Sequence, residues 1–221
     1  TTTPWTLISN VAAAVGPDID YARVPASTFG ADGRDLVVAV PRLPEGAEDQ
    51  ILARWRGAEL AGMRYERPFS FLEVPDPAAA DRAWRILTAD FVSTEDGSGI
   101  VHLAPAFGED DARACREHDL PVLNPVNADG GFDDRVPLWR GRFVKEADRG
   151  IIDDLAARGL LVRELAYEHS YPHCWRCGTP LIYWAKTSWF VRTSEQREVL
   201  LRENDEIGWH PPNIKHGRFG N

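Results

Sequence analysis

With 221 residues, 43% of them hydrophobic and 10% aromatic, the chain is long enough to bury a sizeable core, and disorder as its overall state is excluded. Its 25 Lys and Arg against 34 Asp and Glu give a net charge of −9, which argues against a general polyanion-binding surface and leaves room only for a local basic face. The most apolar runs, Val11 to Val15 and Leu36 to Val40, fall far short of the roughly 18 residues that span a bilayer, so no membrane span is expected.

In chain order, the N-terminus shows neither an initiator Met nor the charged and apolar regions of a signal peptide, as in an excised domain. Short strands are predicted at Val11 to Val15, Tyr21 to Val24, Leu36 to Val40, Ile86 to Phe91 and Ile100 to Ala104, separated by Gly-Pro, Ala-Asp-Gly and Asp-Gly-Ser-Gly breaks. A helix is expected from about Ala47 to Arg56, ended by Gly57, and a second from Gly108 to His118. A third has one apolar face made by Ala147, Ile151, Ile152, Leu155 and Ala156, with Gly159 as its stop, and Leu160 to Leu165 then reads as a strand. After about Ala166 the texture changes to an aromatic, His- and Cys-bearing stretch, followed by a helix capped at Thr193, with Gln196 at capping-box spacing. The predicted organisation is a domain over 1–165 and a second segment over 166–221.

Three stretches carry chemistry. Thr1-Thr2-Thr3-Pro4-Trp5-Thr6-Leu7 concentrates threonine hydroxyls beside a proline bend and a large aromatic; such groups can hold a ribose, a carbonyl and a water without charge, although β-branched Thr also favours plain strands. Gly97-Ser98-Gly99 leads into a strand with His102 and Ala104, then a sharp loop and the acids Glu109, Asp110 and Asp111. Those acids equally complement a helix dipole, and His102 equally suits a satisfied half-buried position, but strand ends and the loops leaving them are where binding groups concentrate. Cys174-Trp175-Arg176-Cys177 has zinc-knuckle spacing, yet structural zinc takes four ligands and this motif supplies two; Cys115, His169 and His173 are open candidates for the rest, and a redox pair is a further reading. Three cysteines are too few for a secreted disulfide framework, so a reducing cytoplasm is expected.

Together these stretches resemble the editing insertion, CP1, of class I isoleucyl-tRNA synthetases. TTTPWTL resembles that family's threonine-rich peptide, and GSGIVHLAPAFGEDD its second editing motif, with Ser98 where threonine is usual. YPHCWRCGTPLIY, TSWF and WHPPNIKHGRFG resemble the segment returning to the catalytic core, while residues 20–85 carry little that is diagnostic. Ile8-Ser9-Asn10 departs from the usual proline-containing turn but retains Asn10. No HIGH-like or KMSKS-like sequence is present, so aminoacylation and ATP binding belong to the full-length enzyme.

The resemblance implies an α+β fold, a β-barrel-like editing domain of the valyl, leucyl and isoleucyl type with peripheral helices. It implies hydrolysis of mischarged valyl-tRNA(Ile), with valyl-adenylate as a further substrate. A hydrophobic pocket rejects a side chain one methylene smaller by only about 1 to 3 kcal/mol, a limit for which isoleucyl-tRNA synthetase is itself the reference example, so a second site selecting by size is needed. By resemblance Asp111 anchors the α-ammonium group, and Thr2, Thr3, Thr6 and Asn10 handle the adenosine, the carbonyl or the water. His102, Trp5 and Tyr171 shape the side-chain pocket, Thr1 and Ala104 complete the binding set, and amides around Thr2 and Thr3 are candidate oxyanion donors. The family carries an upstream CxxC that pairs with a second to hold zinc, so Cys174 and Cys177 form half of a split site; no cofactor is expected in this fragment, and zinc in the full-length enzyme. Expected partners are the tRNA(Ile) 3′ end carrying valine, valyl-adenylate and the absent catalytic core, with the chain a monomer. Two other classes stay open: a zinc-knuckle RNA-binding module without catalysis, using Arg176 and nearby Trp residues, and a structural insertion without editing, against which the presence of Asp111 and His102 argues.

Overall fold

The computed structural model describes the chain except for residues 96, 167–169 and 221. Among the described residues, six short strands, β1 (Ala12–Val15), β2 (Asp20–Val24), β3 (Leu36–Ala39), β4 (Ala53–Arg56), β5 (Ile86–Thr88) and β6 (Ile100–Leu103), form two three-stranded sheets. Small and branched residues let β1 sit at the centre of the first sheet, parallel to β5 and antiparallel to β6, with Ala13 opposite both Ile86 and His102. In the second sheet β2 lies between β3 and β4, antiparallel to each.

The two sheets are tied by one buried phenol and by a backbone bond, the Ala39 N–H of β3 donating to the Ser98 carbonyl at 2.9 Å. Tyr21 of β2 is fully buried, and its hydroxyl donates to the Gly99 carbonyl at 2.7 Å while accepting the Gly16 N–H at 2.9 Å. Gly99 and Gly16 flank β6 and β1, so one phenol satisfies a backbone donor and a backbone acceptor of the neighbouring sheet. Two glycines make the approach possible: a Cβ on Gly57 would stand 2.0 Å from the Gly16 carbonyl oxygen, and one on Gly99, whose φ is +74°, would stand 2.4 Å from the Ala39 Cβ. The sheets stay separate, and no closed barrel forms among the described residues; the α+β expectation holds without barrel closure.

Helices α1 (Gly57–Leu60), α2 (Pro77–Arg82), α3 (Glu109–Glu117) and α4 (Val144–Ala157) complete the first of two compact units, Thr1–Ala185. Its main core joins Val11, Ala12 and Leu103 to Phe107, Phe132, Trp139 and the α4 stripe Val144, Ala147, Ile151 and Leu155. Ile182 and Trp184 pack against this core, and the Trp184 indole donates to the Val126 carbonyl at 2.8 Å. The compact unit therefore runs to 185, past the boundary predicted at 165. The second unit, Lys186–Asn221, contains a 3-10 turn at Thr193–Gln196, α5 (Arg197–Glu206) and a π turn at Lys215–Phe219. Its buried Asn204 accepts the Trp209 indole N–H at 2.9 Å.

Three local expectations are corrected. Residues 47–56 are a 3-10 turn followed by β4, because Trp55 and Ala53 alternate with exposed Arg54 and Arg56 in pairing with β2; Gly57 opens α1 where a helix stop was expected. Leu160 to Leu165 forms no strand, and Leu160, Val162 and Leu165 stand exposed. At the C-terminal helix, Thr193 begins a 3-10 turn, and no side-chain cap bond forms there.

Replacing Tyr21 by Phe strands a buried donor and acceptor, so urea unfolding is expected to show a loss of about 1 to 3 kcal/mol; an unchanged midpoint and slope would refute the tie.

Candidate functional site

Pro4–Ser9 folds as a 3-10 turn because Pro4 presets the first φ and Thr6 N–H donates to the Thr3 carbonyl at 3.1 Å. The Thr6 hydroxyl donates to the same carbonyl at 2.8 Å and lies 3.0 Å from His102 Nε2 of β6, 96 residues away. With its own proton committed to Thr3, Thr6 Oγ1 accepts from Nε2–H, an assignment made from the network. His102 Nδ1 is then an unprotonated acceptor, buried and without a partner among the described residues. Burial pushes the His102 pKa down to about 4, so the ring is neutral at pH 7.

Trp5 is 2% exposed, its ring edge against Phe107 with centroids 4.6 Å apart, so it backs the turn from within the core; its indole N–H is another buried group without a partner among the described residues. Its backbone N–H donates to the carboxylate of Asp148 on α4 at 2.8 Å. Thr1 and Thr2 are exposed and Thr3 half-buried, with the Thr2 and Thr3 hydroxyls 3.4 Å apart. The Thr3 N–H is taken by the Thr1 hydroxyl at 3.1 Å, which removes it as an oxyanion donor.

Where β6 ends, the Phe107 N–H donates back to the Ala104 carbonyl, making the sharp loop that leads into α3. Asp111, in the first turn of α3, folds back so that Oδ2 accepts the Ala104 N–H at 2.8 Å. Gly108 leaves room for this fold-back, because a Cβ there would sit 2.7 Å from the Asp111 carboxyl carbon and the side chain would have to shift. Burial raises the Asp111 pKa, with the Ala104 N–H opposing the shift; an incoming ammonium group would favour the ionised form. Glu109 is exposed on the same turn, and Asp110, also exposed, pairs with Arg113 at 2.6 Å.

Other expected residues stand differently. Asn10 is 4% exposed, and its amide accepts the Tyr65 hydroxyl at 2.6 Å and donates to the Ala12 carbonyl at 2.9 Å, while its own carbonyl receives the Trp84 indole N–H. It is a buried node behind the turn, not an open ligand contact. Tyr171 donates to the Leu181 carbonyl and lies under Lys145 of α4, whose Nζ is 3.3 Å from the ring centroid. Cys174 and Cys177 sit on a turn closed by Gly178 N–H to Cys174 C=O, with Cys177 Sγ 3.2 Å from the Thr179 hydroxyl. His173 bonds the Tyr171 carbonyl, Cys115 is buried in the core, and His169 lies outside the described residues. Among the described residues no group of three or more His, Cys, Asp or Glu can hold a metal, so two thiols do not fit a four-ligand zinc site.

The arrangement joins Thr3 and His102 through Thr6, with Trp5 in the core beside that turn and Asp111 at the exit of the His102 strand. It offers hydroxyls and one carboxylate beside a neutral imidazole whose free nitrogen is buried, a set suited to holding a small polar group with a positive charge. A separate cavity of about 500 Å³, lined by Arg82, Arg116, Cys115 and Asp119 among others, includes none of the residues expected to bind or hydrolyse the ester, and of the candidate metal ligands it includes Cys115. Sequence reasoning missed Tyr65, Trp84 and Asp148. Only Asp148 left a signal: it falls on the apolar stripe between Val144 and Ile151, where an acid needs a reason.

Because its folded pKa is depressed from 6.5 to about 4, His102 costs stability as pH falls through that window. The variant His102→Gln is expected to gain on the native protein between pH 7 and pH 4, by up to about 3 kcal/mol. Parallel melts of the two proteins across that range check this, and identical acid slopes would contradict the burial of the ring.

No protein-family model matches the chain. It is 48% identical over 225 residues to isoleucine-tRNA ligase of Streptomyces coelicolor, covering 100% of this chain and 20% of the relative. The isoleucine-tRNA ligase of Clostridium novyi is 45% identical over 223 residues, with the same coverage. The chain thus spans about a fifth of the length of the curated relatives it matches. A solved structure described as "The crystal structure of GlLeuRS-CP1" superposes with a TM-score of 0.55 at 14% identity, over 77% of this chain and 82% of that one. The chain accordingly belongs to the isoleucine-tRNA ligase family and has the fold of that CP1 structure.

Proposed function

We propose that this chain removes valine from mischarged tRNA(Ile) by hydrolysing the aminoacyl ester, and that valyl-adenylate is a second substrate of the same chemistry. The observation that carries this reading is the 3.0 Å contact of Thr6 with His102, which brings together two motifs singled out separately in the sequence. An aminoacyl ester is already activated, so positioning a water against it supplies much of the rate without a nucleophilic side chain or a cofactor. Asp111 takes the α-ammonium group through a charge-assisted hydrogen bond, the Thr2 and Thr3 hydroxyls face the ester and its water, and His102 closes the pocket to a side chain larger than valine. The 3′ end of the tRNA enters from the exposed Thr1 and Thr2 side, and the remainder of the synthetase supplies aminoacylation.

Asp111→Ala is expected to lower valyl-tRNA hydrolysis by at least about tenfold, the worth of one charged hydrogen bond, while Glu109→Ala leaves it unchanged. In the same assay His102→Ala is expected to begin hydrolysing isoleucyl-tRNA. Single-turnover release of free amino acid, read beside a thermal melt, decides both; near-normal hydrolysis by a folded Asp111→Ala protein would remove the anchor.

A zinc-knuckle RNA-binding reading draws on the exposed Trp175, over whose ring Arg176 lies at 4.6 Å. Elemental analysis separates the two: the chain is expected to carry well under one zinc and to melt alike with and without a chelator. One tightly held zinc in a chain without deacylase activity would favour the knuckle.

A further inference from the structure

We propose that Asp148 is a positioning residue for the threonine turn, holding the Trp5 amide from α4 and so setting where Thr3, Thr6 and His102 stand; this rests on the deacylase reading above. The turn needs an outside partner at one place. Pro4 has no N–H, the Thr6 N–H is used by the Thr3 carbonyl, and Thr3, at the N-cap position, makes no side-chain cap bond. Trp5 is therefore the first amide of the turn left open, and Asp148 fills it at 2.8 Å from 143 residues away.

Asp148 is carried by a rigid support. Val144, Ala147, Ile151 and Leu155 fix α4 in the core, and Asp148 projects from between them. On the other side, Trp5 leads in two directions: its ring meets Phe107, in the loop that carries Ala104 toward Asp111, and its chain neighbour Thr6 holds His102. A displaced Trp5 amide shifts both the hydroxyl side and the carboxylate side of the pocket. Burial pushes the Asp148 carboxyl up to about 6, despite the opposing Trp5 N–H and Lys145. A folded pKa above the unfolded value means that stability is lost as pH rises through about 6, so at neutral pH the ionised group is a cost to the fold. Its place on an apolar stripe is explained by the bond it makes.

The test uses Asp148→Ala, Asp148→Asn and Asp148→Glu in the intact protein that carries this chain, with hydrolysis of valyl-tRNA and isoleucyl-tRNA, a thermal melt, and hydrogen exchange at the Trp5 amide. Asn keeps an acceptor at the same reach without charge; Glu keeps the charge but moves it by a methylene. Expected for Ala is a kcat lower by about tenfold or more with KM within about twofold, narrowed discrimination between the two esters, and faster Trp5 exchange. Asn is expected to recover all three, and Glu to recover them only in part. Native kcat and selectivity in Ala would overturn the proposal, as would loss in Asn with recovery in Glu, which would assign the charge itself. If Ala does not fold, the Asn and Glu pair decides in the same way. If the native protein hydrolyses neither ester, the deacylase reading falls by itself; Trp5 exchange protected in Asn and lost in Ala would still uphold Asp148 as the holder of the turn, and no difference would overturn it.

Discussion

A single hydroxyl holds the candidate site together. Thr6 Oγ1 gives its proton to the Thr3 carbonyl and takes one from His102, so a turn near the chain start and a strand far along it share one atom. The other expected residues are arranged around that junction. The turn must be short and bent, which Pro4 ensures, and β6 must pair with β1 in the register that sets His102 opposite Ala13. The second sheet enters through Tyr21, which fixes the strand entry at Gly99 and hence the start of β6.

The electrostatics follow from burial. Asp111 and Asp148 are both pushed toward their neutral forms and His102 is held neutral, so these three groups, withdrawn from water, all resist charge. In such surroundings the ammonium group of the proposed substrate would be attracted strongly by the carboxylate that it ionises, because little water competes. On the proposed function, selectivity for a charged amino group and exclusion of bulk water would come from the same packing. The two carboxylates divide the work: one is placed beside the loop where an amino group would arrive, the other is spent on the backbone of the turn.

Legibility in the sequence was uneven for physical reasons. Alternation and turn residues exposed five strands, and the apolar periodicity of Val144 to Ala157 exposed α4, because local pattern and burial agree there. The stretch 47–56 misled because Gly57 looks like a helix stop; its lack of a side chain answers instead to the Gly16 carbonyl, a contact between distant segments. The two motifs were visible as motifs, but the internal use of Asn10 was not, since Tyr65 and Trp84 reach it from a region without distinguishing residues. Nor does a linear pattern show that the Thr3 amide is already taken by Thr1.

The turn also bears an energetic mark. Three buried side-chain atoms without partners are found among the described residues, and all three, Trp5 Nε1, Ser9 Oγ and His102 Nδ1, lie on the threonine turn or the histidine it holds. Unpaired buried polar groups of this kind each cost about 1 to 3 kcal/mol. Selection for heat resistance alone would therefore act first on these positions, trading them for apolar residues of similar shape. Thermostable variants obtained without a screen for activity would accumulate their substitutions at the proposed site, gaining sturdiness where that site would be altered.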